Sequence, residues 1–230
     1  MKARDVELVV VEDEEGAARA CAERLVESAR AGRQIVLTGG SSPRRAYEQA
    51  AGLEPDWSRS ELWWGDERCV PPDHPDSNYG MAKAALLDRL REPPLAVHRI
   101  RGEAGKDEAA EEYERELDVI ALDFVLLGLG PDGHVASLFP NFPTLRVADR
   151  RVVPTDAGHE PFVDRVTLTL PALCGAESVL FLVTGDSKAE AAAKAFAGDR
   201  DPSVPGSLVR AENGHTAAIL DRAAAALLGD

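Results

Sequence analysis

Short apolar runs alternate with helical patterns along the chain, and this alternation constrains its fold more than any other feature. Residues 6–11, 34–38 and 179–184 have the length and composition of buried strands, while the Ala-rich stretch 14–30 has helical spacing. Near-continuously apolar strands joined through helices are typical of a parallel sheet with helices on both faces. The sequence therefore predicts an α/β fold with a mostly parallel sheet, formed as a single domain over residues 1–230.

Local signals predict where several elements begin and end. Ser42 precedes Pro43, so we expect Ser42 to be the N-cap and Pro43 the first residue of a helix that reaches residue 50. Residues 166–170 are expected to add a strand to the same sheet. The Ala-rich stretch 223–228 is expected to form a closing helix.

The charge of the chain excludes several classes of partner. Its formal net charge is −14, and no basic stripe interrupts the acidic background, which argues against nucleic acids and anionic membranes. Cys21, Cys69 and Cys174 are too few and too far apart for a disulfide scaffold, as expected for a cytoplasmic protein. We see neither an export signal nor an apolar run long enough to span a membrane.

Two predicted loops carry features of an anion site. In parallel sheets, ligands bind beyond the carboxyl ends of strands, so we expect the functional residues in the loops that follow strands. One such loop contains Gly39, Gly40, Ser41 and Ser42 and leads into a helix, which predicts either a phosphate cradle or an ordinary capped turn. Lys188 lies at the start of another helix and is one of few lysines in an acidic chain, which favours a second phosphate ligand over a solvated side chain.

Another loop begins with Asp66, Glu67 and Arg68 at the end of a strand. Arg68 is suited to a two-pronged contact with phosphate oxygens, and the alternative is an ion pair with a neighbouring acid. Cys69 and His74 follow, but no paired ligand spacing accompanies them, so no metal site is predicted.

A glycine-rich loop after the apolar run 122–127 contains Asp132-Gly133-His134. Its literal GxGxxG spacing does not indicate a nicotinamide site, because Pro131 and Asp132 place rigidity and negative charge where a pyrophosphate would lie. A histidine held beside an aspartate is the basic unit of general base catalysis, although the same pair can also cap a turn. We interpret His134 and Asp132 as catalytic.

Five segments of the chain resemble the 6-phosphogluconolactonase family, which is related to glucosamine-6-phosphate isomerases and deaminases. They are TGGSSP, WWGDERCVPPDHPDSNY, LLGLGPDGHVASLFP, RVTLTLPAL and FLVTGDSKAEA, and they occur in the family's order over nearly the whole chain. The resemblance implies the α/β fold of the sugar-phosphate isomerases and deaminases. It also implies hydrolysis of 6-phospho-D-glucono-1,5-lactone to 6-phosphogluconate, the second step of the oxidative pentose phosphate pathway.

The resemblance further implies roles for individual residues. His134 matches the histidine that the family is proposed to use in proton transfer. In our own hypothesis it is the general base that activates water, and Asp132 orients it or stabilises its charged form. Asp66 is expected to bind sugar hydroxyls or to brace its loop. The implied phosphate-binding residues are Gly39, Gly40, Ser41, Ser42, Arg68 and Lys188. The implied partner is a phosphorylated sugar lactone, with no cofactor or metal. The oligomeric state stays open and is compatible with a monomer.

Two alternative functions are open to the same fold. Deaminases have the pattern DGHIAFNEP where this chain has DGHVASLFP, so Phe139 replaces a glutamate. A phenyl ring cannot transfer protons, and this favours ester hydrolysis over deamination. A catalytically inert sugar-phosphate sensor would need an attached DNA-binding module, for which a single domain over 230 residues leaves no room.

Overall fold

The computed structural model describes residues 6–54, 56–158 and 160–229. Its strands are β1 (Glu7–Val11), β2 (Gln34–Leu37), β3 (Glu61–Trp64), β4 (Asp66–Arg68), β5 (Ala96–Val97), β6 (Phe124–Leu127), β7 (Val152–Thr155), β8 (Arg165–Leu168), β9 (Ser178–Val183) and β10 (His215–Asp221). Its α-helices are α1 (Glu14–Arg30), α2 (Ser41–Leu53), α3 (Asn78–Ala85), α4 (Lys106–Leu117), α5 (Leu170–Cys174) and α6 (Ala189–Phe196). None of the described helices is both long enough and apolar enough to cross a membrane.

The main sheet has seven strands in the order β1-β10-β9-β6-β2-β3-β5, and every adjacent pair in it is parallel. The predicted α/β class with a mostly parallel sheet is therefore confirmed. From β2 the chain proceeds to β3 on one side, and from β6 it proceeds to β9 on the other side. The carboxyl ends of β2 and β6 thus flank a topological switch point, where open α/β sheets form their ligand crevice.

A second, antiparallel sheet joins β4, β8 and β7. The expectation that residues 166–170 extend the main sheet is wrong, because β8 pairs with β4 and β7 instead. Gly65 connects the two sheets: its N–H donates to Leu37 O at 2.9 Å, and its carbonyl accepts from Leu168 N at 2.8 Å. The small sheet is consequently bonded to the main sheet beside the switch point.

Two local predictions fail for reasons of hydrogen bonding. Helix α2 begins at Ser41 with Gly40 as its N-cap, so Ser42 is not the cap, and its hydroxyl bonds to Thr184 Oγ1 at 2.6 Å. Gly40 fits the cap because its φ of 112° is disfavoured for residues with a side chain. The expected closing helix over 223–228 is absent, and residues 222–227 form consecutive turns that begin at the side chain of Asp221.

Candidate functional site

A cavity of about 260 Å³ opens at the switch point, beyond the carboxyl ends of β2, β6 and β9. Its lining contains eight of the nine residues singled out in the sequence: Gly39, Gly40, Ser41, Ser42, Asp66, Arg68, His134 and Lys188. Asp132, the ninth, lies behind the lining and contacts the His134 ring. Residues from four loops that are far apart in sequence thus surround one cavity.

The glycine-serine loop presents backbone donors to this cavity. Within the described part of the chain, the amide nitrogens of Gly40, Ser41 and Ser42 have no hydrogen-bond acceptor. Such orphan donors at the start of a helix attract anions, and the helix dipole adds to the attraction. Pro43, at the third helical position, has no N–H of its own. This geometry is that of an anion cradle.

Gly39 makes a close contact that explains why no side chain occupies this position. A Cβ at Gly39 would lie 1.9 Å from Asn78 Oδ1, well inside van der Waals contact. The Asn78 amide is fixed there because it donates to Asp66 O at 2.9 Å and to Asp66 Oδ1 at 3.1 Å. The other oxygen of Asp66 accepts from Ser137 Oγ at 2.6 Å. Asp66 therefore braces the glycine-serine loop, helix α3 and the loop of His134 against one another.

Glu67 organises the start of α3 rather than the cavity. Its buried carboxylate accepts hydrogen bonds from the backbone N–H groups of Arg68, Asn78 and Tyr79 and from the Ser77 hydroxyl, at 2.7–2.9 Å. Burial raises the pKa of Glu67, and these donors act against that rise. An anion at the N-terminus of a helix also interacts favourably with the helix dipole.

Arg165, which the sequence reasoning missed, is a further cation in the cavity lining. It is directly opposite Arg68 in the β4–β8 pair, and only 1% of its surface is exposed. Burial lowers the pKa of Arg165, and the positive charge of Arg68 lowers it further. The sequence signal for Arg165 is its place at the start of an apolar strand. A charged residue there is unusual, because fully buried arginines are rare.

Arg68 and Lys188 complete the positive side of the cavity. Arg68 donates from Nη1 to Asp76 O at 2.6 Å, and its buried Nε has no hydrogen-bond partner within the described residues. Lys188 is half-buried, and no described carboxylate lies within 4.0 Å of its ammonium group. Burial lowers the pKa of Lys188, while the charge of Asp132 acts in the opposite direction. The alternative interpretation of these cations as ion-paired surface residues does not fit this geometry.

The His134 ring is held by its own loop. Nδ1 lies 2.6 Å from Asp132 Oδ1, and the same oxygen accepts from the His134 backbone N–H at 3.2 Å. A Cβ at Gly130 would lie 2.0 Å from Nδ1, so the loop needs glycine there. Partial burial raises the pKa of Asp132, but the hydrogen bond and charge of His134 outweigh it and bring the pKa to about 2. Asp132 is therefore an anion at neutral pH that accepts the Nδ1 proton.

An aromatic side chain separates the histidine from the buried arginine. The ring centroid of Phe139 is 5.4 Å from that of His134, and the Arg165 guanidinium carbon lies 5.5 Å from the Phe139 centroid. Phe139 is buried, and the Arg165 contact has the geometry of a cation–π interaction. It provides an apolar wall beside the imidazole and offers no second proton-transfer group.

Residues 12–218 match the family model described as glucosamine-6-phosphate isomerases/6-phosphogluconolactonase. The chain belongs to this family. A 6-phosphogluconolactonase of Streptomyces coelicolor is 37% identical over 96% of this chain and 94% of its own length. The protein of the same name from Homo sapiens is 38% identical over 87% of this chain and 82% of its own length.

Solved structures of this family share the fold. A 6-phosphogluconolactonase from Thermotoga maritima is 30% identical, with a TM-score of 0.79 over 94% of this chain and 99% of that one. A structure described as a monomeric glucosamine-6-phosphate deaminase has a TM-score of 0.86 over 96% of this chain and 100% of its own, at 19% identity. The fold is thus common to proteins whose names describe different reactions, and the side chains of the cavity must decide between them.

Proposed function

We propose that this chain is a 6-phosphogluconolactonase, which hydrolyses 6-phospho-D-glucono-1,5-lactone to 6-phosphogluconate in the oxidative pentose phosphate pathway. The observation that carries the proposal is the His134–Asp132 pair at 2.6 Å, on the same cavity as Arg68, Arg165 and Lys188. A lactone that carries a phosphate needs a general base at one end and cations at the other. Curated relatives of the same name, at 37–41% identity, support the assignment.

His134 acts as the general base in this proposal. Because ionised Asp132 accepts the Nδ1 proton, the lone pair of the neutral imidazole is on Nε2. Nε2 takes a proton from a water molecule while the water oxygen bonds to C1 of the lactone. When the tetrahedral intermediate collapses, the C1–O bond to the ring oxygen breaks and the imidazolium returns the proton to that oxygen. General base catalysis of this kind contributes about 10²–10⁴-fold.

The phosphate end of the substrate is held by cations and backbone amides. We assign this role to Arg68, Lys188 and Arg165 together with the N–H groups at the start of α2. Charge-assisted hydrogen bonds in a partly desolvated cavity are stronger than neutral ones, and they fix the ring relative to His134. Arg68 and Arg165 repel each other across the β4–β8 pair, and a dianion between them replaces repulsion with attraction.

Phe139 favours hydrolysis over deamination. Isomerisation with loss of ammonia needs more than one proton-transfer group, whereas lactone hydrolysis needs a single base. At position 139, where the deaminase pattern has a glutamate, the chain has a buried phenyl ring whose centroid is 5.4 Å from that of His134. We therefore regard deamination of glucosamine 6-phosphate as the weaker candidate.

We further propose that one copy of the chain, as a single domain over residues 1–230, carries a complete site. Every residue assigned above comes from the same chain.

A cytoplasmic location fits the three unpaired cysteines. The pKa of one of them, Cys69, is raised to about 11 by burial and then by nearby carboxylates. At that pKa the thiol is protonated at neutral pH, so it is not an alternative nucleophile.

The deciding experiment is a coupled assay on freshly generated 6-phosphogluconolactone, corrected for spontaneous hydrolysis. The product is oxidised by 6-phosphogluconate dehydrogenase, and its NADPH is followed by absorbance. Ammonia release from glucosamine 6-phosphate is measured in parallel on the same preparation. We expect lactone hydrolysis well above the spontaneous rate and no ammonia, and ammonia release without lactonase activity would reverse the assignment.

A further inference from the structure

Asp221, the last residue of β10, is a buried carboxylate that the proposed mechanism does not use. Only 3% of its surface is exposed. Its Oδ1 and Oδ2 accept from Gly185 N at 3.1 and 3.0 Å, and Oδ1 also accepts from Ala224 N at 2.8 Å. Within the described part of the chain no lysine or arginine lies within ion-pair distance of it. Its negative charge is thus compensated by backbone amides.

The amide that Asp221 holds belongs to the turn that carries Lys188. Gly185 is the N-cap of the short 3-10 turn Asp186–Lys188, and its φ of 92° is available to glycine at little cost. The turn closes through Lys188 N, which donates to Gly185 O at 3.1 Å. Gly185 is therefore bonded to Asp221 through its N–H and to the backbone of Lys188 through its carbonyl.

Thr184, the residue before Gly185, is fixed by helix α2 and not by β10. Thr184 Oγ1 lies 2.6 Å from Ser42 Oγ, in the second position of α2. The segment from Thr184 to Lys188 therefore spans from the anion cradle to the end of β10. Its position relative to the amides of Gly40 and Ser41 depends on both anchors.

We propose that Asp221 is a positioning residue for substrate binding. It sets the position of the Lys188 ammonium relative to the amides at the start of α2, and in this way it determines the affinity for the phosphate group. Lys188 is half-buried without a carboxylate partner in the described structure, so only its backbone and the cavity fix its location. Asp221 is not part of the cavity lining and makes no contact with the substrate. The inference rests on the proposed function, which supplies the phosphorylated substrate.

The test is Asp221→Asn, with Asp123→Asn as the matched control. The asparagine keeps one acceptor oxygen, but its NH2 group replaces the oxygen that accepts from Gly185 N at 3.0 Å, so the anchor is weakened at nearly unchanged volume. Asp123 likewise accepts from a backbone amide, Gln34 N at 2.7 Å, but at the opposite end of the strands. We expect KM for the phosphorylated lactone to rise about tenfold in Asp221→Asn, with little change in kcat. Neither value changes in Asp123→Asn.

A double-mutant cycle with Lys188→Met separates positioning from general destabilisation. If Asp221 acts through Lys188, Asp221→Asn has no further effect on KM once Lys188 is methionine. Hydrolysis of unphosphorylated gluconolactone stays the same in Asp221→Asn and in Asp123→Asn. An unchanged KM in Asp221→Asn, or an equal loss in the Lys188→Met background, would overturn the inference. If Asp221→Asn does not fold, Gly185→Ala disturbs the same anchor from the other side and carries the same expectations.

Calorimetric titration with inorganic phosphate gives a readout that does not depend on catalysis. The affinity of Asp221→Asn for phosphate should fall by about the same factor as its KM rises. A wild-type protein that binds phosphate and hydrolyses no lactone would refute the proposed function and leave the positioning role testable by titration. A wild-type protein that is active, with phosphate binding equal in Asp221→Asn, would refute the positioning role alone.

Discussion

The contact between Gly39 and Asn78 predicts a strong coupling between two substitutions. Gly39 has no positive φ, so its backbone accepts alanine, and the nearest obstacle is the oxygen of the Asn78 amide, 1.9 Å from the new Cβ. Gly39→Ala must displace that amide and break its bonds to Asp66 O and Asp66 Oδ1, at 2.9 and 3.1 Å. Asn78→Ala removes the same two bonds without a clash, and it vacates the space that the methyl group needs.

The magnitude follows from these contacts. The bond to the Asp66 carbonyl contributes about 1 kcal/mol and the bond to its carboxylate about 2 kcal/mol, so Asn78→Ala should destabilise the fold by about 3 kcal/mol. Gly39→Ala loses the same bonds and adds overpacking of about 1–2 kcal/mol. The double variant should cost only about 3 kcal/mol instead of the additive 7–8 kcal/mol, which is a coupling of about 4–5 kcal/mol.

Urea unfolding of the wild type, both single variants and the double variant measures this coupling directly. At about 2–4 °C per kcal/mol for a domain of this size, Gly39→Ala should lower Tm by roughly 8–20 °C, and the double variant should recover part of that loss. Gly52→Ala serves as the control, because its added Cβ meets nothing within 4 Å. Additive losses, or a Gly39→Ala variant as stable as the wild type, would contradict the proposed packing.

Three further outcomes follow from the cavity. His134→Ala should lower kcat by about 10²–10⁴-fold in the coupled assay, with little effect on KM. His215→Ala is the control: it breaks a histidine–glutamate pair at the opposite end of the sheet and should leave kcat and KM unchanged. Arg68→Met should raise KM for the phosphorylated lactone about 10–100-fold, and an equal rise for unphosphorylated gluconolactone would disprove the assignment. The pKa of Asp132 is lowered to about 2 from 3.8, so its carboxylate stabilises the fold above pH 3.8 and loses this effect as the pH falls toward 2. Asp132→Asn should therefore flatten the pH dependence of stability over that range, measured by acid titration of the unfolding midpoint.

The sequence singled out eight residues that line the cavity because the loops that surround it have local patterns. The glycine-serine loop, Arg68, His134 and Lys188 each follow or adjoin a strand-like run, and parallel strands bring such loops to one edge. Arg165 was missed because it reaches the cavity from the antiparallel sheet, through pairing with Arg68 across almost a hundred residues. Periodicity contains no information about which distant strand a segment will join.

The local failures have a different origin. Ser42 has the composition of an N-cap, but the freedom of Gly40 to adopt a positive φ starts the helix earlier and releases the serine hydroxyl for Thr184. The stretch 223–228 has high helix propensity, yet it is too short to form a helix without tertiary support. There the buried Asp221 side chain takes the first amide and directs the chain into turns.

Gly65 has a consequence for how the two sheets are held together beside the cavity. Its N–H donates to Leu37 in the parallel sheet and its carbonyl accepts from Leu168 in the antiparallel one, so one residue joins the main sheet to the small sheet that bears Arg68. Inserting one residue at this junction would break both hydrogen bonds and shift the strands that bear Arg68 and Arg165 relative to the loops at the end of the main sheet.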